Sequence, residues 1–289
     1  MSRLPPGPWP FGPLLPLFLT ACFSTPSPLG PNLAGSVGVP HNGVQTGALE
    51  LPVRGAGFVR YRRHSPNYWG RPRLVSGLMG IARSMGELRP GTPRLVVGDL
   101  SARHGGKIPG HNSHRTGRDV DLLFYVTTPA GAPLQNPGFI RIGGDGLGQI
   151  AEGEFVRLDV ERQWLLIKLL LASPELGVQF MFISREIEAL IIDYARSRGD
   201  DLMTIWQAET VMLEPTDSLP HDDHIHLRVA CTPDEAVSGC TGGGPYWEWL
   251  EPWGRLETVD EALLLEIAAD DPVDTPAMAQ GEERAGGGA

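Results

Sequence analysis

Gly110-His111-Asn112-Ser113-His114-Arg115-Thr116-Gly117-Arg118-Asp119-Val120-Asp121 leads from a glycine-bearing loop straight into an apolar stretch at residues 120–126. A second stretch, His221-Asp222-Asp223-His224-Ile225-His226, opens a run that alternates between polar and apolar. Successive strand residues point to opposite faces. Within residues 224–230, His224, His226 and Arg228 therefore share one face, and Ile225, Leu227 and Val229 the other. Both stretches read as strands with one side for a core and one side crowded with imidazole and carboxylate. Five of the eight histidines lie in them.

The rest of the chain supplies partners for those strands. Leu74, Val75, Leu78, Ile81, Ala82 and Met85 recur at helical spacing. Residues 94–97 read as a strand that enters a glycine-rich loop at 98–110. Residues 160–172 form a strongly apolar helix stopped by Pro174, 179–183 a strand, 185–198 an amphipathic helix and 257–268 a last helix. Strands interleaved with helices through short links predict an α+β fold. The expected architecture is a single domain whose small, mostly antiparallel sheet carries the polar cluster. Helices and long Gly/Pro-rich loops flank it, in keeping with 37 glycines and 27 prolines.

Charge and cysteines narrow the setting. The net charge is −10, and residues 257–289 hold nine acids against Arg284. The body is thus close to neutral, which argues against a nucleic-acid partner, since that needs a basic face. Arg3 followed by Leu14-Leu15-Pro16-Leu17-Phe18-Leu19 has the layout of a short export signal. Leu19-Thr20-Ala21-Cys22 then has the form of a lipobox, with a lipid on Cys22 as the one expected membrane attachment. The expected order is signal and lipobox at 1–22, flexible tether at 23–42, folded domain at 43–256 and acidic tail at 257–289, its end disordered. Export favours a disulfide between Cys231 and Cys240.

The polar cluster has a chemical reading. Neutral imidazole nitrogens with one carboxylate oxygen suit zinc, and three protein ligands leave a coordination position for chemistry. His114 and Asp121 are seven apart and converge if the loop folds back at Gly117. If one of His224 and His226 is a ligand, the other is held beside the metal, where it can move a proton. Asp119 is placed to orient a ligand through its second nitrogen. Arg228 falls on the same face, within reach of a substrate carboxylate. His41 and His64 fit no pattern.

These motifs resemble the penicillin-insensitive murein endopeptidases, within the zinc peptidases that carry a histidine–six residues–aspartate motif and a later His-x-His. Val97-Gly98-Asp99 and Phe182-Ile183-Ser184-Arg185-Glu186-Ile187 extend the likeness, which covers roughly residues 60–232. The resemblance implies a periplasmic zinc hydrolase acting on peptide cross-links of peptidoglycan, chiefly the D-alanyl to meso-diaminopimelyl bond. It makes His114, Asp121 and His226 the zinc ligands and His224 the proton-transfer group. His111 and His221 belong in the active-site cleft. A glycine-rich insert at 127–157 departs from the family pattern and is expected to reshape one cleft wall. Two other readings use the same residues: a D,D- or L,D-carboxypeptidase on this scaffold, and a zinc-stabilised wall-binding lipoprotein without turnover. A serine peptidase is disfavoured, because no Gly-x-Ser-x-Gly is present.

Overall fold

A computed structural model describes residues 35–216, 218–242 and 244–250. The export signal, Cys22, the helix expected at 257–268 and the acidic tail lie outside the described residues. The paired chain begins at Ser36–Val39, a strand hydrogen-bonded to Asn42–Gln45. Pairing thus starts inside the stretch read from sequence as a tether.

Seven strands form the main sheet, in the order Met212–Leu213, Val178–Phe182, His224–Val229, Asp119–Leu123, Leu95–Val97, Phe58–Arg60 and Arg54–Gly55. Four of its six pairings are antiparallel; the two parallel ones join Val178–Phe182 to Met212–Leu213 and Phe58–Arg60 to Leu95–Val97. The fold is α+β with a mostly antiparallel sheet, as the sequence predicts. Val120, Leu122, Ile225, Leu227 and Val229 on one face are buried in a single core with the helices. The opposite face of the same two strands is polar.

The helices follow from their local sequence. Pro72–Leu88 starts with proline at its first turn, where the missing N–H costs nothing. It buries Leu74, Val75, Leu78, Ile81, Ala82 and Met85. In Val160–Leu171 the Asp159 side chain accepts the Arg162 backbone N–H as an N-cap. Arg185–Arg198 carries Glu186 and Glu188 in its first turn and Arg196 and Arg198 in its last, matching the helix dipole, and stops at Gly199 in the left-handed region. A further helix, Leu202–Val211, has no counterpart in the sequence reading. Leu202, Met203 and Trp206 are exposed while Ile205, Ala208 and Val211 are buried. Apolar residues all round hide the 3.6-residue period that identifies an amphipathic helix.

The strand expected over residues 120–126 is broken. It pairs in the main sheet through Leu123, and Val126–Thr127 joins a separate four-stranded sheet. The break has a cause in side-chain hydrogen bonds: Gln163 Oε1 accepts the Tyr125 backbone N–H, and Asn136 Nδ2 donates to the Phe124 carbonyl. That second sheet is built largely from the 127–157 insert, with Leu147–Ala151 and Glu154–Leu158 as its hairpin.

Cys231 and Cys240 are disulfide-bonded, as expected from sequence. The loop they close holds the short helix Pro233–Val237, capped reciprocally by Thr232 and Glu235. Buried Glu235 also pairs with Arg71 and Arg73, tying the loop to the start of the Pro72–Leu88 helix.

Gly117 is where the loop turns into the Asp119–Leu123 strand. Its φ is 75°, and a Cβ there would collide with the buried Gln45 side chain. Gly117→Ala is expected to cost at least about 1 kcal/mol, lowering Tm by about 2–4 °C or more. Gly86→Ala, on the open face of Pro72–Leu88 with nothing near the added methyl, should leave Tm unchanged or slightly raised. Thermal unfolding followed by circular dichroism checks both.

Candidate functional site

Antiparallel register assembles the site. His226 stands opposite Asp121 and Arg228 opposite Asp119. Paired residues on neighbouring strands project to the same face, so two carboxylates and two basic side chains meet on the polar side of the sheet. His114 reaches them from the preceding loop, with φ at 63°, the one positive-φ position not filled by glycine among the described residues. A backbone held there without glycine costs energy and occurs where the surroundings demand it. Gly98, on the neighbouring segment, leaves no room for a Cβ beside Asp121 and donates its N–H to the Asp121 carbonyl.

The proton positions on two histidines follow from their acceptors. His114 Nδ1 lies 2.6 Å from the Leu100 carbonyl. A carbonyl only accepts, so Nδ1 carries a proton, and in the neutral ring Nε2 keeps its lone pair; burial opposes the charged ring, but Asp121 overcomes it and raises the His114 pKa in the metal-free protein. His226 Nε2 donates in the same way to Asp119 Oδ1 at 2.8 Å, leaving Nδ1 with the lone pair. The two bare nitrogens face one atom, Asp121 Oδ1, at 3.2 and 3.7 Å. His114 Nε2 and Asp121 Oδ1 are both buried and make no hydrogen bond. Buried polar atoms of this kind are normally satisfied. Two imidazole lone pairs and a carboxylate oxygen turned toward one another are a donor set that fits a zinc ion.

The remaining histidines ring this centre. His224 Nε2 also approaches Asp121 Oδ1, at 3.3 Å, while its Nδ1 bonds Asp223. His111 Nε2 lies 3.3 Å from buried Asp99, and its Nδ1 is 3.8 Å from Asp121 Oδ2. His221 sits 5.1 Å from His224 and 5.6 Å from His226, ring to ring. Among the described residues, two groups have ligand atoms close enough to hold a metal: His111, His114 and Asp121, and His221, His224 and His226. The three ligands expected from sequence straddle these groups, joined through Asp121.

Burial sets the charge states. Burial works against ionised Asp119, but Arg228 and His226 overcome it and hold the carboxyl well below its usual range. Asp121 is likewise opposed by burial and held low by His114 and His224. Burial, then the neighbouring His114, pushes His226 down to about 4, and burial, then His224, does the same for His221. His224 goes the other way. Burial opposes its charged form, yet Asp121 and Asp223 raise it to about 10.

Both clusters open into one cleft of about 810 Å³. Tyr61, Phe139 and Phe182 give it apolar walls, and Arg62 and Arg141 stand at its rim. Phe139 and Arg141 come from the 127–157 insert, which does form one wall. The Phe139 ring meets His224 at 5.2 Å and Tyr61 at 5.1 Å, edge to face. Arg141 bonds Asp222. Arg228, expected to meet a substrate, has its Nε committed to Asp119 at 2.7 Å. Tyr61 and Phe139 carry no signal in the sequence; Asp99 and Asp223 stand inside its motifs, which assign them no role. His41 lines the cleft as well, although it fits no motif.

The fold and the cluster define an α+β protein whose central sheet presents a histidine–carboxylate centre, suited to a metal ion, on the floor of a cleft. The profile of the penicillin-insensitive murein endopeptidases matches residues 36–137, which include the first histidine motif. Proteins of that name from several strains of Escherichia coli are 25% identical over 237 residues, covering 77% of this chain and 78% of their own. The chain is thus similar to the penicillin-insensitive murein endopeptidases, by profile around the first histidine motif and at 25% identity over most of its length.

In the metal-free protein, His221 and His226 are expected to stay neutral down to about pH 4 and His224 to stay charged up to about pH 10. The charged His224 then contributes stability that is complete below about pH 6.5 and is lost as pH rises through its folded value. Histidine-ring NMR titration of metal-free protein checks this, and a His224 that titrates near pH 6.5 would contradict it.

Proposed function

We propose that this protein is an exported zinc endopeptidase that hydrolyses peptide cross-links in peptidoglycan, of the D-alanyl to meso-diaminopimelyl type. The observation that carries the reading is the pair of histidines whose outer nitrogens are occupied by Leu100 and Asp119. Their inner nitrogens are thereby turned on Asp121. His114, Asp121 and His226 would hold the ion, and Asp119 would fix the ring of His226 from behind. Zinc in such a set supplies Lewis acidity and brings the pKa of a coordinated water to about 7.

The chain's own groups perform the remaining tasks. With an ion drawing off the charge of Asp121 that keeps His224 protonated in the metal-free protein, His224 would be free to accept the water's proton at Nε2 and return it to the departing amine, with Asp223 bracing its Nδ1. His111 and His221 line the cleft as its other imidazoles and share in proton handling or in holding the scissile carbonyl oxygen. Tyr61 and Phe139 pack against each other at the cleft wall and keep one side of the centre apolar. No serine nucleophile takes part, so a β-lactam has nothing to acylate.

Three histidines gathered around the ligands argue against a zinc-stabilised wall-binding role, which needs the ligands alone. A carboxypeptidase needs space on one side of the scissile bond for a single terminal residue. The cleft volume is generous for that and suits a peptide running through it. Cross-links of this kind lie in the periplasm, where the lipobox at Cys22 would tether the domain. Among the described residues no helix is long and apolar enough to cross a membrane.

Zymography on purified sacculi is expected to show clearing that stops with a chelator and returns with zinc. His114→Ala, Asp121→Ala and His226→Ala should each lose both zinc and clearing. His224→Ala should keep most of its zinc and lose rate by about 10²–10⁴-fold. Clearing that survives complete metal removal would refute the proposal.

A further inference from the structure

We infer that Arg228 is the receptor for the α-carboxylate on the leaving side of the scissile bond, which makes it a specificity-determining residue. The inference rests on the peptidase reading above and names what that site selects.

Arg228 lies two residues beyond His226 on the same strand face, about 7 Å along the strand. Its Nε donates to Asp119 Oδ1, the same oxygen that receives His226 Nε2–H. Its guanidinium stands 5.0 Å from the centre of the Phe182 ring. The head group is therefore held at two points, by a buried carboxylate and by an aromatic face. Among the described residues, no acceptor takes a hydrogen bond from either terminal nitrogen of Arg228, and neither is sealed from solvent. The side chain is 12% exposed and lines the cleft. A guanidinium braced at Nε, with its terminal nitrogens unpaired in a cleft, is prepared for a planar, two-oxygen anion.

The other cleft cations are differently placed. Arg62 and Arg141 are at the rim, 64% and 76% exposed, and each pairs with an aspartate of the cleft, Asp99 and Asp222. Asp223 is taken by His224. Of the guanidiniums lining the cleft, Arg228 alone both touches the ligand shell and keeps its terminal nitrogens unpaired.

The distance selects the ligand. When the amine released by hydrolysis is an α-amino acid, its carboxylate carbon is two bonds from the scissile nitrogen. With that amide at the centre formed by His114, Asp121 and His226, such a carboxylate falls within reach of Arg228. Two sources share this chemistry: the diaminopimelyl residue on the leaving side of a cross-link, and a free terminal D-alanine.

The test uses zinc-loaded protein and four synthetic peptides. Two are cross-linked dimers with a carboxylate or a carboxamide on the leaving residue, and two are stem pentapeptides with a terminal carboxylate or carboxamide. Wild-type kcat/KM is expected to favour the acid over the amide by about 10–100-fold, mostly through KM. A preference within the dimers assigns the cross-link as the source, and one within the pentapeptides assigns the terminus. R228K and R228Q should cut the acid/amide ratio to below about 3-fold, because Lys keeps the charge but not the fork. Arg228 also neutralises Asp119, so zinc content is measured in each variant; the wild-type comparison stands alone if a variant loses metal. Equal wild-type rates on acid and amide, or an undiminished preference in zinc-replete variants, would overturn this inference and leave the peptidase reading intact. Failure of wild type to cleave either acid substrate would instead overturn the peptidase reading.

Discussion

The pairing of Asp119–Leu123 with His224–Val229 is the constraint on which the rest depends. Its register sets His226 against Asp121 and Arg228 against Asp119 on one face. On the other face it sets Val120, Leu122, Ile225, Leu227 and Val229 into the core. The side-chain period of a strand is two, so a slip of one residue would exchange these faces. Carboxylates would then enter an apolar core, and aliphatic side chains would be left on the cleft floor. The hydrophobic core therefore enforces the geometry of the polar centre.

Around that pairing, burial and charge are balanced group by group. Asp119 and Asp121 are almost entirely removed from water, and an unpaired buried carboxylate would be protonated rather than charged. Asp119 stays ionised through Arg228 and His226, and this same arrangement fixes the tautomer of His226. Asp121 stays ionised through His114 and His224. The aspartates thus divide the labour. One bonds His226 and Arg228, and the other faces the convergence of three imidazoles.

The walls of the cleft are drawn from segments that have no common sequence signal. Phe139 arrives from the glycine-rich insert and packs on His224, and Tyr61, from just after the Phe58–Arg60 strand, meets Phe139. Asp99 braces His111 from the end of the Leu95–Val97 strand. These residues line the cleft from segments where loop length and packing vary most freely.

Sequence by itself determined the elements with strong periodicity and the gathering of imidazoles and carboxylates in two motifs. The helix at Arg185–Arg198 was legible because a 3.6-residue apolar stripe ends at a glycine. The polar face of His224–Val229 was legible because alternation fixes which side chains share a side. Likeness to a known family singled out His114, Asp121 and His226 in addition. Tertiary structure alone decided the remainder. The helix at Leu202–Val211 shows no amphipathic period, because it is apolar on its exposed side too. The break after Leu123 comes from Gln163 and Asn136, both far along the chain. Asp223 beside His224, Asp99 beside His111 and the anchoring of Arg228 by Asp119 are contacts between particular side-chain atoms. Spacing along a chain encodes which face a residue occupies, whereas the partner it meets there depends on how separate segments pack.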